Sequence, residues 1–408
     1  MTYIKRDIEA TILEVSESYA SMILTGPRQV GKTTTLRHLA GEERAHVTLD
    51  DLEARRLAQN DPELFLSLNP PPLLIDEVQY APQLFSQIKI AIDRGALPGS
   101  YWMTGSQAFH LTALSQESLA GRVAVLRMSS LSQHEIYGRG HHEPFSLVME
   151  KLQRRGQSGT QTDTPGQYER IWRGSLPGHV SGKYANREIF YSSYLQTYIQ
   201  RDIGDMMDRV DALQFVDFIR AAACRAGLTL NVHNIALDVG VTDDTAKRWL
   251  RLLEKSGIIF YLRPFSGNMI KRTIKMPKLY FFDTGLVAYL TKYSTAEILH
   301  SGAINGAILE NYVVAEIIKS YANRGLDCII HYYRDRDGRE IDLILESDGE
   351  LHPIEVKKTA SPSGHLTGRP FRVLDEAGLP RGLGAVVCTK AAFAAVDRMT
   401  VVVPVWTL

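Results

Sequence analysis

Along the first 140 residues, short apolar runs alternate with stretches whose apolar residues recur at helical spacing. SMILT (21–25), HVTLD (46–50), PLLID (72–76), YWMTG (101–105) and VAVLRM (123–128) read as buried strands, with TTTLRHLAG and LFSQIKIAIDR as helices among them. Such alternation predicts an α/β unit on a parallel sheet. From Gln153 to Gln167 no residue is apolar, and a flexible linker or loop is expected. Residues 168–208 read as helical throughout, with Tyr191, Tyr194, Leu195 and Tyr198 on one packing face.

The pattern then changes. LQFVDFIRAAACRAG predicts one helix and NIALDVG a short second one ending at Gly240, after which Thr242 is placed to cap DDTAKRWLRLLEKSG. Two strand-like runs follow, GIIFYLRPF and PKLYFFD. Helix, turn, helix and hairpin make the pattern of a winged helix-turn-helix. The remainder opens with the helix AINGAILENYVVAEIIKSYANRG and carries strand signals at CIIHYYRD, EIDLILES, HPIEVKK and GAVVCT, with an Asp-Gly turn inside SDGE. A separate small α/β domain is expected there. The domain boundaries read 1–150, 151–208, 209–282 and 283–408.

Composition narrows the class. A chain of 408 residues exceeds one ordinary core, and its 44% hydrophobic and 23% charged fractions exclude a disordered or fibrous protein. Basic and acidic residues balance at 46 each, so any nucleic-acid contact must come from local clustering. Cys224, Cys328 and Cys388 lie far apart, which fits neither a disulfide framework nor a structural zinc site. With no signal-like start and no run of membrane-spanning length, the reading is a cytoplasmic protein without a membrane partner.

The sharpest chemical signal is Gly26-Pro-Arg-Gln-Val-Gly31-Lys32-Thr33, which fits GxxxxGK[ST] between a strand and a helix. In that context the loop amides and the helix N-terminus converge on phosphate oxygens. Gly26, Pro27, Arg28, Gln29, Val30, Gly31, Lys32, Thr33 and Thr34 are the expected nucleotide contacts. Lys32 supplies the phosphate cation and Thr33 a Mg²⁺ ligand, while Arg28 reads as a lid contact or a solvated cation. PPLLIDEVQ ends a strand in Asp76-Glu77: Asp76 belongs beside Mg²⁺, and Glu77 is placed to orient and deprotonate a water. Ser106-Gln107, ending the YWMTG strand, is expected to face the same crevice, with Ser106 as sensor. Arg122 is a candidate arginine finger, within the chain or across a subunit interface.

LTGPRQVGKTT, LLIDEVQ, MTGSQ, LAGRV, YLQTYIQRDI and YFFDTGLVAYL, in that order, resemble the bacterial and archaeal AAA-type ATPases with a C-terminal domain of unknown function. That C-terminal part is, in such proteins, similar to the restriction-endonuclease-like fold. The resemblance implies ATP and Mg²⁺ as cofactors, Lys32, Thr33, Asp76 and Glu77 for binding and hydrolysis, and Ser106 as sensor. Arg201, in the YIQRDI mark, is a guess at a second sensor. The polar stretch 153–167 departs from the pattern and reads as an insertion.

Two further features carry candidate chemistry. In the recognition-type helix Ala246, Trp249, Leu250 and Leu253 point inward and Lys247, Arg248, Arg251 and Lys255 outward, while Asp243 and Asp244 oppose DNA at its start. The following segment holds Arg263, Lys271, Arg272, Lys275 and Lys278 without an acid, a patch able to meet phosphates. Farther on, Asp342 and Glu355-Val-Lys357 have the spacing D…ExK. Residues i and i+2 of a strand share a face, so Asp342 and Glu355 can form a two-carboxylate Mg²⁺ or Mn²⁺ site with Lys357 beside it. In the restriction-endonuclease-like pattern Glu310 is the extra ligand. Two functions follow: a nucleotide-driven protein with a nuclease-like domain, able to assemble as a nucleotide-dependent homo-oligomer; or a slow signalling ATPase that holds a protein or DNA partner, its C-terminal domain inert.

Overall fold

The computed structural model describes residues 3–105, 121–138, 143–198, 212–265, 275–360 and 370–408. Helix α1 (Ile8–Ser18) leads into β1 (Ser21–Thr25), α2 (Lys32–Ala40), β2 (Ala45–Thr48), α3 (Leu52–Asn60), α4 (Pro62–Leu68), β3 (Leu73–Asp76), α5 (Leu84–Asp93), β4 (Tyr101–Gly105) and β5 (Val123–Arg127). The five strands are parallel, in the order β2-β3-β4-β1-β5. β1, β3 and β4 are buried along their whole length, as apolar runs covered on both faces must be. Thr25 lies beside both Gly105 and Arg127, so the turn leaving β1 opens at the carboxyl edge of the sheet, where such folds bind ligands.

Next come a single turn, α6 (Gln133–Ile136), then α7 (Met149–Ser158), α8 (Thr164–Arg173), α9 (Pro177–Val180) and α10 (Arg187–Tyr198). The stretch 153–167 is therefore not a linker. It ends α7 and begins α8, and its polar composition conceals packing: Arg155 is buried and donates to the Glu143 carbonyl at 2.8 Å, and Gln167 is fully buried. A Cβ on Gly156 would stand 2.6 Å from the Phe393 ring, and one on Gly159 2.8 Å from Trp406. The wholly helical reading of 168–208 is broken within the described residues, because α8 ends at Gly174 (φ +78°), where a Cβ would meet the Asp283 carboxylate at 2.8 Å. Tyr191, Tyr194, Leu195 and Tyr198 are buried as expected. Arg201 lies outside the described residues.

Helices α11 (Ala212–Ala223), α12 (Val232–Val239) and α13 (Asp243–Lys255) precede a hairpin of β6 (Ile259–Pro264) and β7 (Lys278–Phe281). Gly240 is left-handed at the end of α12, and the Thr242 hydroxyl accepts from Thr245 N at 3.2 Å. Then follow α14 (Thr284–Leu290), α15 (Ala296–Ser301), α16 (Asn305–Ala322), β8 (Ile330–Arg334), β9 (Glu340–Ser347), β10 (Glu350–Lys357), α17 (Arg372–Glu376), β11 (Gly384–Cys388), β12 (Ala394–Asp397) and β13 (Thr400–Pro404). Asp348 and Gly349, at φ 52° and 80°, make the two-residue turn that Asp-Gly predicts.

The separation expected at residue 282 does not hold. Arg263 pairs with His331 and Pro264 with Tyr332, so the hairpin joins the C-terminal strands in one eight-stranded sheet, β12-β13-β11-β10-β9-β8-β6-β7. One apolar cluster runs from Ile8 on α1 to Leu408 at the chain end. Among the described residues, no helix is long and apolar enough to cross a membrane.

Candidate nucleotide site and C-terminal carboxylate cluster

The turn after β1 is shaped by its glycines. Gly26 (φ +147°) packs so closely on the Met128 carbonyl that no side chain fits, and Gly31 (φ +97°) caps α2 from the left-handed region. Lys32 is buried, its Nζ 2.8 Å from the carbonyls of both Gly26 and Pro27. A cation there needs acceptors, and a phosphate is the stronger one. The Thr33 hydroxyl donates to the Asp76 carboxylate at 3.0 and 3.1 Å, joining the start of α2 to the end of β3. Burial, and then the charge of Glu77, push the Asp76 carboxyl up to about 6 against the Thr33 bond. Glu77 is left-handed (φ 57°), and its carboxylate accepts from Gln79 Nε2 at 2.5 Å. Ser106 and Gln107 lie outside the described residues, one step beyond Gly105, which neighbours Thr25.

Beside the loop opens a cavity of about 380 Å³, lined by Gln29–Gly31, Thr34 and Thr35 on one side and by Tyr3, Pro177 and Tyr184 on the other. Tyr3 stacks on His38 with ring centroids 3.9 Å apart. Arg122 is elsewhere. It precedes β5, whose first residue pairs with Ser21 at the amino edge of the parallel sheet, and its Nε is 2.6 Å from Asp93. Arg122 therefore lies at the sheet edge opposite the turn that leaves β1.

In the C-terminal sheet, the register that pairs Ile354 with Leu343 sets Glu355 opposite Asp342, and Glu310 faces them from α16. The expected juxtaposition forms, yet its oxygens are engaged. Lys278, buried on β7, lies 2.9 Å from Glu310 and 2.7 Å from Glu340. Tyr280 donates to Glu310 at 2.5 Å, Val356 N to Asp342 at 2.8 Å, and Lys357 is ion-paired with Glu355. Burial and the Asp342 charge push Glu310 and Glu355 up to about 7, and burial raises Asp342. Only Glu355 Oε2 is left buried without a partner in this cluster. Among the described residues no group of three or more His, Cys, Asp or Glu is set to hold a metal ion. The expectation of a formed second metal site is corrected accordingly: lysines neutralise these carboxylates. Lys278 also leaves the basic patch, since it is 3% exposed.

Three family models match successive stretches: an AAA domain over residues 18–137, a domain of unknown function (DUF8612) over 165–297 and another (DUF4143) over 305–408. Residues 18–137 are thus similar to an AAA domain. Uncharacterized proteins of Mycobacterium tuberculosis and Mycobacterium bovis are each 29% identical over 365 residues, covering 88% of this chain and 75% of theirs. Among solved structures, the Walker-type ATPase of Pyrococcus abyssi matches with TM-score 0.44 and 15% identity over 71% of this chain and 96% of that one. A signal-transduction ATPase with numerous domains from Pyrococcus horikoshii matches with TM-score 0.25 and 12% identity over 79% of this chain and 48% of that one.

The AAA domain's surroundings hold residues that the sequence reading missed. Arg6, 3% exposed, donates to the carbonyls of Val30 (2.7 Å) and Ser129 (2.8 Å) and to Glu135 (3.0 Å). Ser132-x-x-Glu135 is a capping box, a legible helix-start signal, but nothing in it names Arg6 as partner. On α13 and just before β7, Lys247, Arg248, Arg251 and Lys275 are exposed, and Ala246, Trp249, Leu250 and Leu253 are buried, as the helical pattern requires. Lys271 and Arg272 lie outside the described residues.

Proposed function

We propose that the chain binds and hydrolyses ATP with Mg²⁺ at residues 26–34, and that the elements beyond residue 208 read the nucleotide state. The observation that carries this reading is the Thr33–Asp76 contact at 3.0 Å, beside the buried Lys32 and next to Glu77. A hydroxyl facing a buried carboxylate whose pKa is raised fits a Mg²⁺ site, and Thr33 and Asp76 would hold the ion. Mg²⁺ would neutralise charge on the β- and γ-phosphates. Lys32 would exchange its two carbonyl acceptors for phosphate oxygens. Glu77, released from Gln79, orients the attacking water and takes its proton, and Ser106 senses the γ-phosphate from the end of β4. Loss of that phosphate then shifts the helices after residue 150 against the sheet. In a phosphate-release assay Glu77→Gln should lose about 100-fold or more in kcat while still binding ATP, and Lys32→Ala should lose both. Full turnover in either variant overturns the assignment.

For the C-terminal part, the lysine-engaged carboxylates favour recognition over cleavage. The proposed partner is nucleic acid, met by Lys247, Arg248, Arg251 and Lys275, with Lys271 and Arg272 expected beside them. Incubation with DNA or RNA and Mg²⁺ or Mn²⁺ separates the readings. Salt-dependent binding without cleavage supports recognition; cleavage that vanishes in Asp342→Ala and Lys357→Ala makes the cluster a nuclease. Arg122 serves as a finger only if a second copy presents it, which the oligomeric state with and without nucleotide would decide.

A further inference from the structure

Two buried ion pairs meet back to back behind the phosphate loop. Arg6 and Glu135 have side chains 3% and 0% exposed, Glu316 and Lys319 of α16 2% each. Both pairs grip the segment from Ser129 to Glu135. From the loop side, Arg6 holds the Val30 and Ser129 carbonyls and Glu135, whose oxygens also accept from Asp7 N and Ser132 N. From the C-terminal side, Glu316 accepts from Gln133 N at 2.9 Å, and Lys319 donates to the Leu131 carbonyl at 3.0 Å and to Ser175 Oγ at 3.2 Å.

The Val30 contact bears on phosphate binding through elementary peptide geometry. In a planar trans peptide the C=O of Val30 and the N–H of Gly31 point in opposite directions. Pinning the carbonyl on Arg6 therefore turns the Gly31 N–H the other way, toward where the loop amides converge on an anion. Buried ion pairs add little net stability, because desolvation offsets their attraction, but they fix geometry when every hydrogen bond is made. Four such charges, placed in series on one backbone segment, make a positioning device.

We propose that Glu316 and Lys319 are positioning residues for the phosphate loop: through residues 131–135 and Arg6 they set the Val30–Gly31 peptide, so the C-terminal domain regulates nucleotide affinity from outside the AAA domain. This rests on the reading of residues 26–34 as the nucleotide site. By linkage the effect runs both ways, and bound nucleotide stiffens α16.

The test uses the full chain and an N-methylanthraniloyl-labelled ATP. Glu316→Gln/Lys319→Met removes both charges without stranding either. We expect about 3- to 10-fold weaker binding, with KM for ATP rising more than kcat falls, and the same direction in Arg6→Lys, which loses the guanidinium fork. Affinity equal to wild type in the folded double variant overturns the proposal. Should that variant fail to fold, hydrogen exchange on the wild type decides: slower exchange at residues 311–319 with nucleotide supports the proposal, and identical exchange overturns it. A wild-type chain that binds no labelled ATP at all overturns the nucleotide-site reading instead.

Discussion

Asp76 is held at a cost that a cation is suited to remove. Its folded-state pKa, about 6, lies above the ordinary 3.8 because of burial and the neighbouring Glu77. The stability Asp76 contributes is therefore fully present below about pH 4 and lost as pH rises through about 6. Asp76→Asn should stabilise the nucleotide-free protein at pH 8 by about 1–2 kcal/mol in urea unfolding, allowing for solvent screening, with the difference fading by pH 4. With Asp76 as the proposed Mg²⁺ ligand, turnover requires the ionised form, so kcat/KM for MgATP should fall as pH drops through about 6. Profiles flat across that range would remove Asp76 from the metal site. The proposed site residues Lys32, Thr33, Asp76 and Glu77 could be named from the sequence because each sits in a short motif tied to one strand end. Arg6 was not, since its three partners lie 24, 123 and 129 positions away and no local spacing records them.

At the scale of elements, α7 shows how composition misleads. A run without apolar residues was expected to be loose, yet its glycines are the contact surface, admitting the rings of Phe393 and Trp406 to the helix backbone. On an exposed helix, replacing glycine gains about 1 kcal/mol. Here Gly156→Leu should instead cost about 1–3 kcal/mol in urea unfolding, because overpacking outweighs propensity; a gain would mean that Phe393 does not cover the site. The hairpin misled in the opposite sense. Counting charges placed Lys278 in a solvated basic patch, but the β7 register turns it inward to Glu310 and Glu340. Helix α13 was read correctly down to its cap, since its periodicity and Thr242 are local signals.

For the whole molecule, the strands of the first sheet and most of the second were visible as apolar runs, whereas the joining of the hairpin to β8 was not. That union depends on pairing across some seventy residues, which no local pattern encodes. Removing residues 305–408 should therefore expose the open edge of β6 and the apolar faces of α14 and β7, giving material that precipitates or melts without a cooperative transition in calorimetry. A soluble, cooperatively unfolding fragment would restore independent domains. The seam between the two matched families of unknown function, at residues 297–305, leaves β6 and β7 on one side and the other six strands on the opposite side. Chimeras spliced there from diverged relatives inherit mismatched halves of a single hydrogen-bonded ladder, so exchange between lineages should succeed only where the crossover falls upstream of residue 259.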